Sequence, residues 1–117
     1  MAESKISAQI PTPVSVSKVG IFTNSNIAAY QIGKMLFVSG NVDAGSVQPS
    51  SGYTQGTWYK FAKVTVAIPT TVGLGAAASN GAQPVAVTID GSGNLSFKTI
   101  TDNYPDVIWF SGCCEIS

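Results

Sequence analysis

The chain has 117 residues, with six basic side chains balanced by six acidic ones and no histidine or arginine. Zero net charge without arginine leaves no electrostatic footprint for nucleic acid or an anionic membrane surface. No stretch approaches the roughly 20 apolar residues that a membrane span requires. Only 10% of residues are charged, against roughly 25% in an average soluble domain. Much of the surface must therefore carry Ser, Thr, Asn, Gln and Gly, or be hidden against a partner.

The first stretch, "MAESKISAQIPTPVS", lacks the continuous apolar segment of a signal peptide, so synthesis in a cytoplasm with a retained N-terminus is expected. Residues 1–13 are polar and end in Pro-Thr-Pro, where Pro11 and Pro13 favour an extended path. They read as an arm or linker ahead of a single β domain over residues 14–117.

From Val14 onward the pattern is β. "VSVSKVGIF" alternates Val14 and Val16, then shifts phase to Val19 and Ile21. "NIAAYQI" and "GKMLFVSGNV" follow, with a turn expected at Gly33-Lys34. "WYKFAKVTVAIP" places Tyr59 and Phe61 on one parity and Val64, Val66 and Ile68 on the other. A β-bulge near Ala62-Lys63 would realign them, and Pro69 is expected to end the strand. "QPVAVTI" and "NLSFKTI" flank Asp90-Gly91-Ser92-Gly93-Asn94, and "DVIWFSGCCEI" closes the chain. Seven or eight short strands and no convincing helix predict an all-β, antiparallel β-sandwich or jelly-roll-like barrel.

Two long stretches lack strand character: Asp43 to Thr57, which is polar, and Thr70 to Ala82, which is rich in Gly and Ala. Loops of about 12–15 residues in a compact domain are often functional or packed on a partner. Two strands, Met35–Val38 and Val107–Phe110, are apolar on both faces. In an antiparallel sheet wetted on one side that pattern places large apolar groups in water. A symmetric homo-oligomer would supply the second buried face. Within the second of these strands, Trp109 reads as a core residue.

Catalytic signatures are scarce. Without histidine the usual general base and the Ser-His-Asp triad are missing, so neither enzyme activity nor a cofactor is expected. Asp102 and Asp106 are close in sequence, but Pro105 between them reads as a loop rather than a shared cleft. Asp90, Ser92 and Asn94 alternate in the manner of a calcium loop. An EF-hand, however, needs glycine at its sixth position and glutamate at its twelfth, where this chain has Leu95 and Thr101. The stretch reads as a hairpin turn. Cys113 and Cys114 are adjacent, so their side chains leave opposite faces of a strand and an ordinary bridge between them is strained. They read as free thiols with one packed in the core, or as a disulfide between subunits near a symmetry axis.

Saccharide binding is the chemistry with physical support. Apolar sugar faces stack on aromatic rings, while amide and carboxylate side chains fix the hydroxyls. Tyr53, Gln55, Trp58 and Tyr59, with Asn41 and Asp43 across the loop, supply those groups on one segment. The plainer reading is that Trp58 and Tyr59 simply start a strand, one of them in the core.

The succession "MLFVSGNVDAG", "WYKFAKVTVAIPTTVG", "AQPVAVTIDGSGNLSFKT" and "DVIWFSGCCEIS" resembles the C-terminal head domains of tailed-phage receptor-binding proteins, from tail fibres and baseplates. The resemblance covers roughly residues 34–117. It implies a virion β-barrel that assembles as a homotrimer and binds a host cell-surface glycan, joined to other phage tail proteins through its N-terminal arm. It carries over no specific binding residue. Met1 stands only a few dozen residues before the head pattern, which fits an excised domain or a short virion protein that is mostly head. Alternatives to the adhesion reading are a structural fibre or decoration protein without a saccharide site, and a stand-alone small lectin.

Overall fold

The structure is a computed structural model that describes residues 10–45, 47, 49, 53–78, 85–99 and 107–117. Among them there is no helix. Nine strands follow in chain order: β1 (Thr12–Pro13), β2 (Val16–Lys18), β3 (Ser25–Ile32), β4 (Met35–Asp43), β5 (Trp58–Val64), β6 (Val72–Ala78), β7 (Val85–Ile89), β8 (Asn94–Thr99) and β9 (Val107–Glu115). They form one antiparallel sheet in the order β1-β3-β4-β9-β6-β7-β8-β5-β2. The sheet is curled and barrel-like, which bears out the all-β expectation.

The curl follows from where the first two strands pair. β1 lies on β3 at one edge of the sheet, and β2 lies on β5 at the other. Only Val14 and Ser15 separate them. Three Cα steps from Pro13 to Val16 span at most about 11 Å, so the two edges must stand that close together. Val14 N donates to Ala29 O on the β3 side, and Ser15 O accepts from Thr65 N on the β5 side. Residues 12–18 therefore stitch the two edges. Pairing begins at Thr12, two residues before the expected start of the domain, whereas Ile10 ahead of it is 82% exposed.

Alternation sorts the side chains as the sequence suggested for most strands. Leu36, Val38 and Val42 of β4 and Ile108, Phe110 and Cys114 of β9 point inward and are buried. Phe97 is the hub, with Phe22 edge-on at 5.4 Å, Tyr59 stacked at 5.5 Å and Phe61 tilted at 6.0 Å. Each fully buried side chain of this size contributes about 1.5–3 kcal/mol. The Gly33-Lys34 turn forms as expected, and Gly33 adopts a φ of 59°.

Three expectations need correction. The Gly- and Ala-rich stretch expected to lack strand character contains β6. Val72–Leu74 pair with β7, and Gly75–Ala78 pair with β9. Ladder bonds to two neighbours override the poor strand propensity of Gly and Ala. The strand expected to run to Pro69 stops at Val64, because Val64 N and Ile68 N turn to the Gly93 and Gly91 carbonyls. The bulge lies between Lys60 and Ala62, at Phe61 rather than at Ala62-Lys63. It lets Phe61 and Ala62, neighbours in sequence, both be buried.

The hairpin turn between β7 and β8 explains that stop. Gly93 has a φ of 86°, a conformation disfavoured for side-chain-bearing residues. A Cβ there would also run into the Val64 and Val66 carbonyls. Gly93→Ala is expected to lower the unfolding free energy by about 2–3 kcal/mol. Gly73→Ala, whose Cβ would meet open space, should leave it unchanged or raise it by up to about 1 kcal/mol. Urea unfolding of the two variants checks the contrast, and equal losses would sink this account of the turn.

Candidate functional site

The hairpin turn comes first because it carries the alternating oxygen donors. Asp90 Oδ1 accepts from the Ser92 and Asn94 backbone N–H groups, both at 3.0 Å, and Oδ2 accepts from Asn94 Nδ2 at 3.1 Å. Asp90 N donates to Asn94 O, and Gly93 N donates to Asp90 O. The carboxylate is the internal brace of the turn, as the hairpin reading anticipated. Asp102 and Asp106 lie outside the described residues.

The six residues singled out for saccharide binding separate into distinct environments. Tyr53 is half-buried, with its ring edge-on to Tyr59 at 5.0 Å and tilted on Phe97 at 5.8 Å. Its hydroxyl lies 2.8 Å from both the Ala44 and Val47 carbonyls. Burial, then the nearby Tyr59 and Asp43, push its pKa well above the ordinary tyrosine value. Tyr59 is half-buried too, and its oxygen accepts from Thr54 N at 2.6 Å. Both rings therefore serve the core and pin the loop after β4. Gln55 is exposed in the turn before β5. Trp58 is 44% exposed and has the Lys98 ammonium 4.7 Å from its ring centroid. It lies on the outer side of the β5–β8 wall, paired across the ladder with Lys98.

Asn41 and Asp43 lie elsewhere, together with a residue the sequence placed in the core. Trp109 is 55% exposed, a correction with a simple cause. Its neighbours Ile108 and Phe110 are buried, and the pleat must send the residue between them to the opposite face. Register then aligns Asn26 of β3, Asn41 of β4, Trp109 of β9 and Ala77 of β6 in one row across the sheet. Asn41 and Asp43 line a shallow depression of about 530 Å³ with Trp109, Asn24, Asn26 and Lys18. Asp43 N donates to Asn24 O at 2.8 Å, fixing the bend before β3 at the rim.

Two further depressions adjoin it. One of about 410 Å³ shares Trp109 and extends over Gly75, Ala77 and Ser111. The other, of about 220 Å³, lies between β2 and β3 and shares Lys18, Ser25 and Asn26. No ladder joins β2 to β3 among the described residues. Ser25 is 6% exposed, and its Oγ is buried without a hydrogen-bond partner. An unpaired buried hydroxyl of this kind costs about 1–3 kcal/mol. The chemistry on offer is an exposed indole face beside three amides, a carboxylate, an ammonium and a hydroxyl. That set suits a polyhydroxylated ligand with an apolar face. Comparison with protein-family models, curated proteins and solved structures returns no match, so the site is read from its own geometry.

The two thiols differ in kind. Cys114 is buried, and burial followed by the adjacent Cys113 raises its pKa, which keeps it an unreactive core residue. Cys113 is exposed on the outer face. Both are free in this chain, and one is packed in the core as expected.

Asp90 gives a pH prediction. Its slight burial works to raise the pKa, but hydrogen bonds from Asn94 and Ser92 and the Lys60 charge outweigh it, and the net direction is down. A depressed folded value means that the stabilisation is complete above the unfolded value of about 3.9 and is lost as pH falls through the lower folded value. Asp90→Asn should therefore flatten the acid limb of stability and lower the plateau at pH 7 by about 1 kcal/mol. Urea midpoints between pH 2 and pH 7 measure both effects. Parallel curves for the two proteins would refute the assignment.

Proposed function

We propose that this chain is an adhesion module, the head of a phage receptor-binding protein that works in the virion as a homotrimer and binds a host cell-surface saccharide. The observation that carries the binding half is the outward Trp109 in one row with Asn26 and Asn41, beside Asp43. Covering the exposed part of such an indole, on the order of 100 Å², is worth about 2–3 kcal/mol. The flanking amides and carboxylate offer the directional hydrogen bonds that fix sugar hydroxyls. A depression this shallow suits a ligand of a membrane or cell surface, presented in many copies to several heads at once.

The assembly half is supported by the opposite end of the same sheet face. There Tyr30 stacks on Phe37 at 5.6 Å, Met35 is 37% exposed and Tyr30 is 38% exposed. This patch is about 13 Å along the strands from the Trp109 row, so one end of the face is free for ligand while the other meets a second copy. The phage-head resemblance supplies the number three, and attachment to other tail proteins falls to the N-terminal arm.

Trp109→Ala should abolish binding on a glycan array, Asn41→Ala should weaken it about tenfold or more, and Trp58→Ala should leave it intact. Binding that tolerates Trp109→Ala and fails with Trp58→Ala would return the site to the β5 wall. For the assembly, light scattering should give three times the 12.1 kDa chain mass, reduced by the double change Tyr30→Lys and Met35→Lys. A monomer at micromolar concentration would rule the assembly out.

A further inference from the structure

We infer that the site takes a linear oligosaccharide lying across the strands, and that its far end is gripped at the β2–β3 seam by Ser25 and Lys18. This rests on the saccharide reading above and adds the shape and direction of the ligand. Three observations carry it. First, the three depressions adjoin in sequence: the central one shares Trp109 with its neighbour over β6 and shares Lys18, Ser25 and Asn26 with its neighbour at the seam. Second, the path runs perpendicular to the chain direction, through Ala77, Trp109, Asn41 and Asn26 in register. Strands sit about 4.8 Å apart, so the step from β6 to β3 alone covers roughly 14 Å before the seam is reached. A single sugar occupies only a fraction of that length, whereas a chain of several fills it.

Third, the seam end contains a group that the fold leaves unsatisfied. Ser25 is more than nine-tenths buried and lines both depressions, and its Oγ has no hydrogen-bond partner. Odd-numbered positions of β3 point inward, as Ile27 and Ala29 do, so this hydroxyl lies at the floor of the seam rather than on its rim. Buried hydroxyls without partners are rare in folded proteins and mark places where something else completes the bond. Lys18, exposed beside it, supplies a further donor from the β2 side. Among the described residues the groove is open at the β6 end, where Gly75 and Ala77 present no bulk. A polymer can therefore run through it rather than end in it.

The inference separates stability from binding in an unusual way. Ser25→Ala removes an unsatisfied polar atom, so it should leave the melting temperature unchanged or raise it. The same change should reduce affinity for long ligands alone. Tryptophan fluorescence in a Trp58→Phe background reports Trp109 directly, since the chain has two tryptophans. Monomer-to-hexamer series of a β-1,4-glucan, a β-1,4-linked N-acetylglucosamine chain and an α-1,4-galacturonan serve as probes.

In a series that binds, Kd should fall about tenfold or more between one sugar and four and then level off. Ser25→Ala and, separately, the exposed-site change Lys18→Met should remove most of that gain without changing Kd for the monosaccharide. Length-independent binding that disappears with Trp109→Ala would overturn this inference and leave the saccharide site standing. Equal losses for short and long ligands in Ser25→Ala would also overturn it. No change in Trp109 emission with any of the three series would remove both.

Discussion

The short passage from β1 to β2 is the constraint on which the rest of this fold depends. An open sheet presents two rows of unpaired N–H and C=O groups, which invite aggregation. Here Thr12–Pro13 cover one edge and Val16–Lys18 cover the other, and only two residues lie between. The chain can do both jobs only if the sheet curls until its edges meet. Val14 and Val16, half-buried against the core, give that closure an apolar component beyond its backbone bonds. Closure through a crossing segment differs from closure through a ladder, however. β2 and β3 end side by side without pairing, and a barrel closed in this way keeps a slot along the join. The seam depression and the unpaired Ser25 hydroxyl are consequences of the same device that protects the edges.

Much of the fold was legible because most strands obey a two-residue period. Val87 and Ile89 facing Leu95 and Phe97, with Asp90 and Gly93 in the turn, announce the β7–β8 hairpin without ambiguity. The phase shift between Phe61 and Val64 announces a bulge to within one residue. β6 was hidden because its strand character is not in its side chains. Glycine and alanine carry no β preference, and the strand exists because β7 and β9 each leave a ladder edge that needs filling. The early end of β5 was hidden for a related reason. Val66 and Ile68 continue the alternation, but the carbonyls of a turn some 25 residues later capture the backbone first. Local pattern reports local preference, and it is silent where a distant partner decides.

The site divides along the same line. Asn41 and Asp43 were found because they end a strand that reads clearly, at the mouth of a long loop. Trp109 was missed because a strand apolar on both faces gives no sign of which face is wet. The parity of Ile108, Phe110 and Cys114 decides it, and only their burial reveals that parity. Tyr53 and Tyr59 looked like ligand-facing rings beside Trp58, since in sequence they stand close together. In the fold their rings meet edge-on against Phe97, and the Tyr53 hydroxyl turns back to the Ala44 and Val47 carbonyls. Residues that make a surface on a β-sheet are neighbours across strands, not along them. Asn26, Asn41 and Trp109 are 15 and 68 positions apart in the chain and adjacent in register.

The distribution of charge binds these features together. Among the described residues, Lys18, Lys60, Lys63 and Lys98 all lie on β2, β5 and β8. The outer positions of β3, β4, β9 and β6 carry charge only at their two ends, Asp43 and Glu115. Four of the five lysines among the described residues thus lie on one half of the barrel, and the fifth, Lys34, stands in the turn between β3 and β4. On that half the lysine stems cover the apolar surface beneath and the ammonium groups stay in water, as Lys98 does over Trp58. The other half, built of Ala28, Ser39, Ser111 and Gly75 between aromatic ends, pays little desolvation cost when covered, because it has few charges to strip of water. A face of that kind is suited to contact at both ends, with amides and an indole for a neutral polar ligand at one and stacked rings for a protein surface at the other. The same scarcity of charge is what makes this face cheap to bury.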